Sequence, residues 1–380
     1  LFGNAQLIEP VTMIVLTGGP CSGKSSSLAY LTERLSDHGF MVFVIPETAT
    51  LITNSGIDRR KMDKSKQVVL YEEAIFDMQM AFEGTYQQAV KGIFPDRKKV
   101  ILLDRGIMDI KAFISPQDFR AILKRKGLTE MDVRDRYTGI IHLVTAAEGA
   151  REYYTGENNE ARLESPDEAI GLDQRIRESW LGHPRFRLID NSTGFEEKIM
   201  RAFGAISRLL GVPAPLRKKE RFLVEGVDYD RMAVHQVVEI EQVHLRSRNK
   251  AEEIRIRKRA QDGASLYFLT RTRLGEPPIE QEELVGEQQY YSLVKRKDPK
   301  TEAILKDRLC FLWNDRYFEL DRYKGRHEGL AILEVEPSEN LDDEAGTMIP
   351  PFIHCGRNIT GNSRYSDRSM ARSRKIPATG

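Results

Sequence analysis

Short, nearly continuous apolar runs alternate with helical periodicity through the first half of the chain. The runs Met13–Thr17, Phe40–Ile45, Lys99–Leu103, Ile140–Val144 and Arg185–Ile189 predict strands covered on both faces. Between them Leu28, Leu31 and Leu35 recur at helical spacing, as do Leu70, Ala74, Met78 and Phe82. Such alternation predicts a parallel sheet with helices on both faces. A final helix, from about Phe195 to Leu210, stops at Gly211. The prolines Pro213 and Pro215 and the charged stretch Arg217–Arg221 follow it and predict a linker. Beyond Arg221 the period becomes two. Val238–Glu241, Ile254–Arg257 and Leu333–Glu336 each alternate aliphatic and charged residues, so these strands have one apolar and one charged face. Gly275–Pro278 reads as a turn and Glu339–Gly346 as an acidic loop.

A chain of 380 residues is too long for one core and fits two domains. The expected boundaries are a nucleotide-binding domain over 11–212, a linker over 213–221, a second domain over 222–372 and a basic tail over 373–380. With 58 Lys and Arg against 57 Asp and Glu, the net charge is +1, so no nucleic-acid partner is expected. Cys21, Cys310 and Cys355 are odd in number and far apart. They predict neither a disulfide framework nor a zinc site, and a reducing compartment follows. No apolar run reaches the ~18 residues of a membrane span.

The strongest chemical signal is Gly18-Gly19-Pro20-Cys21-Ser22-Gly23-Lys24-Ser25, which satisfies G-x-x-x-x-G-K-[ST] between a predicted strand and a predicted helix. Glycines allow the backbone N–H groups to converge on phosphate oxygens, and the helix N-terminus adds positive potential. Lys24 is placed to reach the β and γ phosphates; Ser25 is expected to hold Mg2+, with Ser26 alongside. Asp104 ends the third strand, where ligands gather in open α/β sheets, and is expected to join the metal shell or to act as a base. Glu47 follows the second strand and is a candidate base for an attacked hydroxyl. Arg175 and Arg177 are candidate cations that neutralise charge during phosphoryl transfer, or an ordinary salt-bridged helix face.

In the second half, Glu239 with Glu241 and Glu334 with Glu336 lie two apart on strands, so each pair shares a face. Arg255, Arg257 and Arg259 share another, as do Lys306 and Arg308. Paired carboxylates suit a divalent metal and the bases suit phosphate. Further bases cluster at Arg246, Arg248 and Lys250 and at Arg364, Arg368, Arg372, Arg374 and Lys375. Such a surface suits anionic lipid headgroups, or it is a solvated basic face.

The segment Met13–Leu210 resembles the P-loop kinase-like domain of the NadR regulator and its relatives, and Asp104-Arg105-Gly106 resembles the Asp-Arg step of nucleoside kinases. The order of charged strands that follows, closed by Ile359-Thr360-Gly361, Tyr365-Ser366 and Met370-Ala371, resembles the CYTH or triphosphate-tunnel domain. The fold class expected is therefore α/β followed by mainly β: a P-loop NTPase sheet, then an antiparallel CYTH-type tunnel barrel. That family resemblance implies that Glu239, Glu241, Glu334 and Glu336 form the metal side and that Arg255, Arg257, Arg259, Lys306 and Arg308 form the phosphate side. The family's first strand reads Glu-x-Glu-x-Lys; Val243 stands at the lysine position here, which puts triphosphatase activity in doubt. The two domains in this order resemble the TRPL translocation defect protein family. This implies GTP (or ATP) and Mg2+ as ligands and anionic phospholipid headgroups and an ion channel or trafficking proteins as partners. It also implies a cytoplasmic protein peripherally attached to membranes. A small-molecule P-loop kinase and a metal-dependent triphosphatase are the alternative readings.

Overall fold

The computed structural model describes residues 11–377, except 63, 95–97, 151–164, 212–218, 233–234, 250, 262, 276–278, 315, 336–347, 374–375 and the side chains of 279–284. Two compact units are present, Leu1–Val212 and Pro213–Gly380.

In the first unit the element order is β1 (Thr12–Thr17), α1 (Lys24–Asp37), β2 (Met41–Ile45), α2 (Thr48–Asn54), α3 (Ser65–Ile93), β3 (Lys99–Asp104), α4 (Pro116–Arg125), α5 (Glu130–Arg134), β4 (Gly139–Leu143), α6 (Pro166–Ser179), β5 (Phe186–Ile189) and α7 (Phe195–Leu209). The strands pair in parallel in the order β2-β3-β1-β4-β5. Ile14, Leu16, Val100, Leu102, Ile141 and Leu143 alternate onto one face, where Leu28, Leu31 and Leu35 of α1 and Ala202, Ala205 and Ile206 of α7 cover them. The predicted α/β unit and the predicted face of α1 are what the structure has.

α3 differs from its predicted face. Leu70 is 57% exposed, Ala74 is exposed and Met78 and Phe82 are half-buried. The buried stripe is Tyr71, Glu72, Phe76, Gln79 and Glu83. Polar side chains are tolerated there because they bond one another: Gln79 Nε2 donates to Glu83 Oε1 (3.1 Å), as does the Tyr137 hydroxyl (2.7 Å).

The second unit runs β6 (Glu220–Val227), β7 (His235–Leu245), β8 (Glu252–Gln261), β9 (Ala264–Arg273), β10 (Ile279–Val285), α8 (Glu287–Val294), β11 (Ile304–Trp313), β12 (Arg316–Tyr323), β13 (Ala331–Val335), β14 (Ile353–Asn358) and α9 (Asp367–Arg372). Among the described residues it is one antiparallel sheet in the order β10-β9-β8-β7-β11-β12-β13-β6-β14. One sheet face is apolar in patches. Val243, Leu245, Ile256, Tyr267 and Leu269 pack with Tyr290 of α8, and Leu309, Phe311, Phe318, Leu320 and Leu333 pack with Phe352 and Ile353. The other face carries Arg255, Arg257, Arg259, Lys306, Arg308, Glu319, Asp321 and Glu334, as the registers require. The chain end folds against this second face. Gln242 Nε2 donates to Asp367 (2.9 Å), Arg368 pairs with Glu253 (3.1 Å), and Tyr365 and Met370 pack with Leu223, Ile304 and Ile332. No helix among the described residues is long and apolar enough to cross a membrane.

Candidate functional site

The turn from β1 into α1 is a phosphate loop in its backbone geometry. Gly18 has φ 142° and Gly23 φ 87°, both in the region that favours glycine, and Cys21 between them also has positive φ (54°). Gly19 is required for a second reason: a Cβ there would lie 2.8 Å from the Asp173 side chain. Lys24 opens α1, with Ser25 and Ser26 exposed after it. The Lys24 ammonium folds back onto its own loop, donating to Gly18 O (2.9 Å), Gly19 O (3.0 Å) and Ser22 Oγ (3.2 Å). Burial and the nearby Arg105 charge lower its pKa to about 8, despite the opposing pull of Asp104, Glu47 and Asp109. A polyphosphate would supply both the missing countercharge and better acceptors.

Asp104 sits at the C-terminal end of β3, where burial raises its pKa, and its Oδ1 is buried with no hydrogen-bond partner. An orphaned carboxylate oxygen in the field of Lys24, with the exposed Ser25 hydroxyl next along the chain, fits a Mg2+ shell, in which Asp104 and Ser25 would hold the ion. The ion, when bound, neutralises phosphate charge.

Beside the loop lies a cavity of about 230 Å³ lined by Pro20, Glu47, Arg105 and Asp109 together with Tyr71, Glu72, Gln79 and Phe113. Glu47 caps α2, and Arg105, a non-glycine residue at φ 72°, turns its guanidinium onto Glu47 Oε1 (2.5 Å) and towards Asp109 (3.4 Å). Burial would raise the Glu47 pKa, but Arg105 and the Thr50 hydroxyl outweigh it and hold it at about 2. Asp109 is fixed in turn by Thr17 Oγ1 (2.6 Å) and Trp180 Nε1 (2.6 Å). Glu72 has the opposite fate. Burial lifts its pKa to about 7, with Arg59 (3.5 Å) only partly opposing. Gln79 is oriented at both ends, accepting from Thr48 and donating to Glu83.

The two candidate arginines of α6 part company. Arg177 is buried and pairs with Asp173 (Nε to Oδ2, 2.7 Å) and Glu148, while Arg175 Nε donates to Ala112 O (3.2 Å). Arg177 therefore belongs to the salt-bridged helix face that the sequence left open. Sequence reasoning missed Tyr71, Glu72 and Gln79, and also Asp173. The legible signal for α3 was polar: Glu72, Gln79 and Glu83 recur at helical spacing on one face.

In the second unit the expected metal side is not assembled. Glu239 pairs with Ala260 and Glu241 with Lys258, on the face that also holds Val243 and Ile256, whereas Glu334 faces the other way with Arg221 and Glu319. A single-residue offset in alternation separates them. Val243 packs in the apolar patch under α8, so its lack of charge does not alter the charged face. Glu336, Lys250, Arg374, Lys375 and the acidic loop lie outside the described residues. Lys306 and Arg308 do reach the charged face with Arg255, Arg257 and Arg259, but they are neutralised by Asp321 and Glu319.

Residues 13–198 match a family model described as an AAA domain. No curated protein matches the chain. Among solved structures, the inorganic triphosphatase NE1496 is 25% identical, covering 43% of this chain and 98% of its own with a TM-score of 0.33. A second structure of NE1496, titled as a hypothetical protein, aligns at the same identity and TM-score over 42% of this chain and 98% of its own. The PH1819 protein from Pyrococcus horikoshii OT3 is 19% identical over 31% of this chain and 76% of its own, with a TM-score of 0.25.

Proposed function

We propose that the first unit binds a nucleoside triphosphate and transfers its terminal phosphate to a hydroxyl of a small molecule held beside the phosphate loop. The observation that supports this reading is the cavity lined by Glu47 and Arg105, which are ion-paired, by Pro20 of the loop and by Tyr71, Glu72 and Gln79 of α3. The acceptor oxygen forms a bond to the γ-phosphorus while the bond to the β–γ bridging oxygen breaks, and the nucleoside diphosphate leaves. With a pKa of about 2, Glu47 is a weak proton acceptor. Its role is to orient the hydroxyl, which suits a loose transition state in which the hydroxyl proton departs late, to an oxygen of the transferred phosphate and from there to water. Lys24 must leave its loop carbonyls and follow the transferred phosphate, and Ser25 and Asp104 would hold Mg2+.

Preference for GTP, binding of lipid headgroups and a role in channel trafficking rest on the sequence resemblance alone. No contact among the described residues selects guanine.

The test is transfer of labelled γ-phosphate from ATP and GTP to a panel of hydroxyl-bearing small molecules, with Glu47→Gln and Lys24→Ala as controls. Transfer that is lost in both variants supports the reading. Nucleotide binding that is lost in Lys24→Ala without transfer to any acceptor would remove it.

A further inference from the structure

The charged face of the second unit holds three carboxylates, Glu319, Asp321 and Glu334, close enough to share one guanidinium. Oxygen-rich clusters of this kind suit a divalent cation only while their lone pairs are open to it. Here every one of the three is already engaged by a base. Arg308 donates to Glu319 (2.8 Å) and, through Nε and Nη2, to both oxygens of Asp321 (2.7 Å each). Lys306 reaches Asp321 Oδ2 (2.6 Å) and Arg221 reaches Glu334 Oε1 (3.0 Å). Lys219, just before β6, completes the set: its ammonium lies 2.5 Å from Glu319 Oε2 and 3.7 Å from Glu334 Oε2, bridging two carboxylates on neighbouring strands. Asp321 is fully buried, Glu319 nearly so, and Lys219 is the most exposed member with its side chain 32% accessible. Among the described residues no group of three or more His, Cys, Asp or Glu is arranged to hold a metal.

A buried carboxylate cluster must be neutralised, and either a metal or basic side chains can do it. A divalent ion entering between Glu319 and Glu334 would meet the ammonium of Lys219 and a guanidinium at once, and like-charge repulsion at that range is severe in a poorly hydrated site. The described residues thus do not fit the metal that the tunnel-type resemblance implies.

We propose that Lys219 takes the place of a divalent cation in this unit, so that the charged face binds polyanions without metal. Arg255, Arg257 and Arg259 stand in one row across from Thr270, Phe268 and Leu266; Arg259 is buried, and the half-buried Arg255 and Arg257 are the bases placed to meet an anion. The carboxylates beneath serve to hold Arg308 and Lys306 in place rather than to ligate.

The experiment uses the full chain carrying Lys24→Ala, so that the phosphate loop does not contribute, with inorganic tripolyphosphate as the probe in calorimetry. The expected result is equal affinity in EDTA and in excess Mg2+, within about twofold. Binding lost in EDTA, or no binding in either buffer, overturns the proposal. A second measurement follows Mn2+ by electron paramagnetic resonance. The Lys24→Ala chain is expected to bind none at Glu319 and Glu334, and adding Lys219→Glu, at a partly exposed position, is expected to create one site per chain. A stoichiometric Mn2+ site that is already present and disappears in Glu334→Gln overturns the proposal, as does failure of a folded Lys219→Glu variant to take up the ion.

Discussion

The Asp173 carboxylate accepts a hydrogen bond from the backbone N–H of Gly19 at 2.5 Å, so helix α6 holds the phosphate loop directly. The same side chain receives His142 Nε2 (3.1 Å) and Arg177 Nε (2.7 Å). Burial alone would raise its pKa, but His142, Arg177 and the Gly19 N–H hold it well below the usual carboxylate range.

Replacement Asp173→Ala is expected to cost about 3–5 kcal/mol, because it strips a buried cationic group of its carboxylate partner. Asp173→Asn keeps an acceptor for Gly19 and is expected to recover part of the loss. The sign of the pH effect follows from the depressed folded pKa. The stabilisation is present above the unfolded value of about 3.9 and is lost as pH falls below it. Chemical denaturation of the three proteins across acid pH checks both expectations.

Lys24→Ala is expected to abolish nucleotide binding while leaving the second unit folded. In the native protein the pH dependence should be informative. Because the ammonium of the empty site titrates at about 8, nucleotide affinity is expected to fall as pH rises through that value, since the neutral amine must take up a proton to meet the phosphate. Calorimetry on both sides of that pH measures it, and affinity that is flat or rising with pH contradicts the assignment.

Glu72 gives the opposite stability profile. Its folded pKa of about 7 lies above the unfolded value of about 4.3, so the folded chain binds more protons between the two. Stability is expected to fall over that window as pH rises, by an amount on the order of 4 kcal/mol at ~1.36 kcal/mol per pKa unit. Glu72→Gln is expected to flatten the profile. An unchanged slope in urea titrations of the variant would show that Glu72 is not the titrating group.

Arg308→Met leaves the buried Glu319 and Asp321, two apart on β12, side by side with one guanidinium fewer. A loss of about 3–5 kcal/mol is expected, larger than for exposed pairs such as Arg60 with Asp58. Comparing Arg308→Met with Asp58→Ala by thermal unfolding distinguishes the buried network from the surface pair.

Much of this protein was legible in its sequence because the signals are local. Glycine placement in Gly18–Ser25, the apolar runs of β1, β3 and β4, and the leucine stripe of α1 each depend on residues close along the chain, and the parallel sheet and phosphate loop followed from them. The alternating strands after Arg221 likewise announced an antiparallel sheet with one charged face. Which charges share that face was decided by register, and a shift of one residue sends a side chain to the other side. That is why Glu239 and Glu241 sit with Val243 and Ile256, and why Glu334 meets Lys219 and Arg221, residues about a hundred positions earlier in the chain. The stripe of α3 was decided in the same way. Its apolar periodicity pointed to Leu70, but the neighbours waiting for it were the buried Thr48 and Tyr137 and the more exposed Arg59, and those polar groups drew Gln79, Glu83 and Glu72 inward. Pairing over long sequence separations fixes such choices, because burying a charge is tolerable only where its partner already stands.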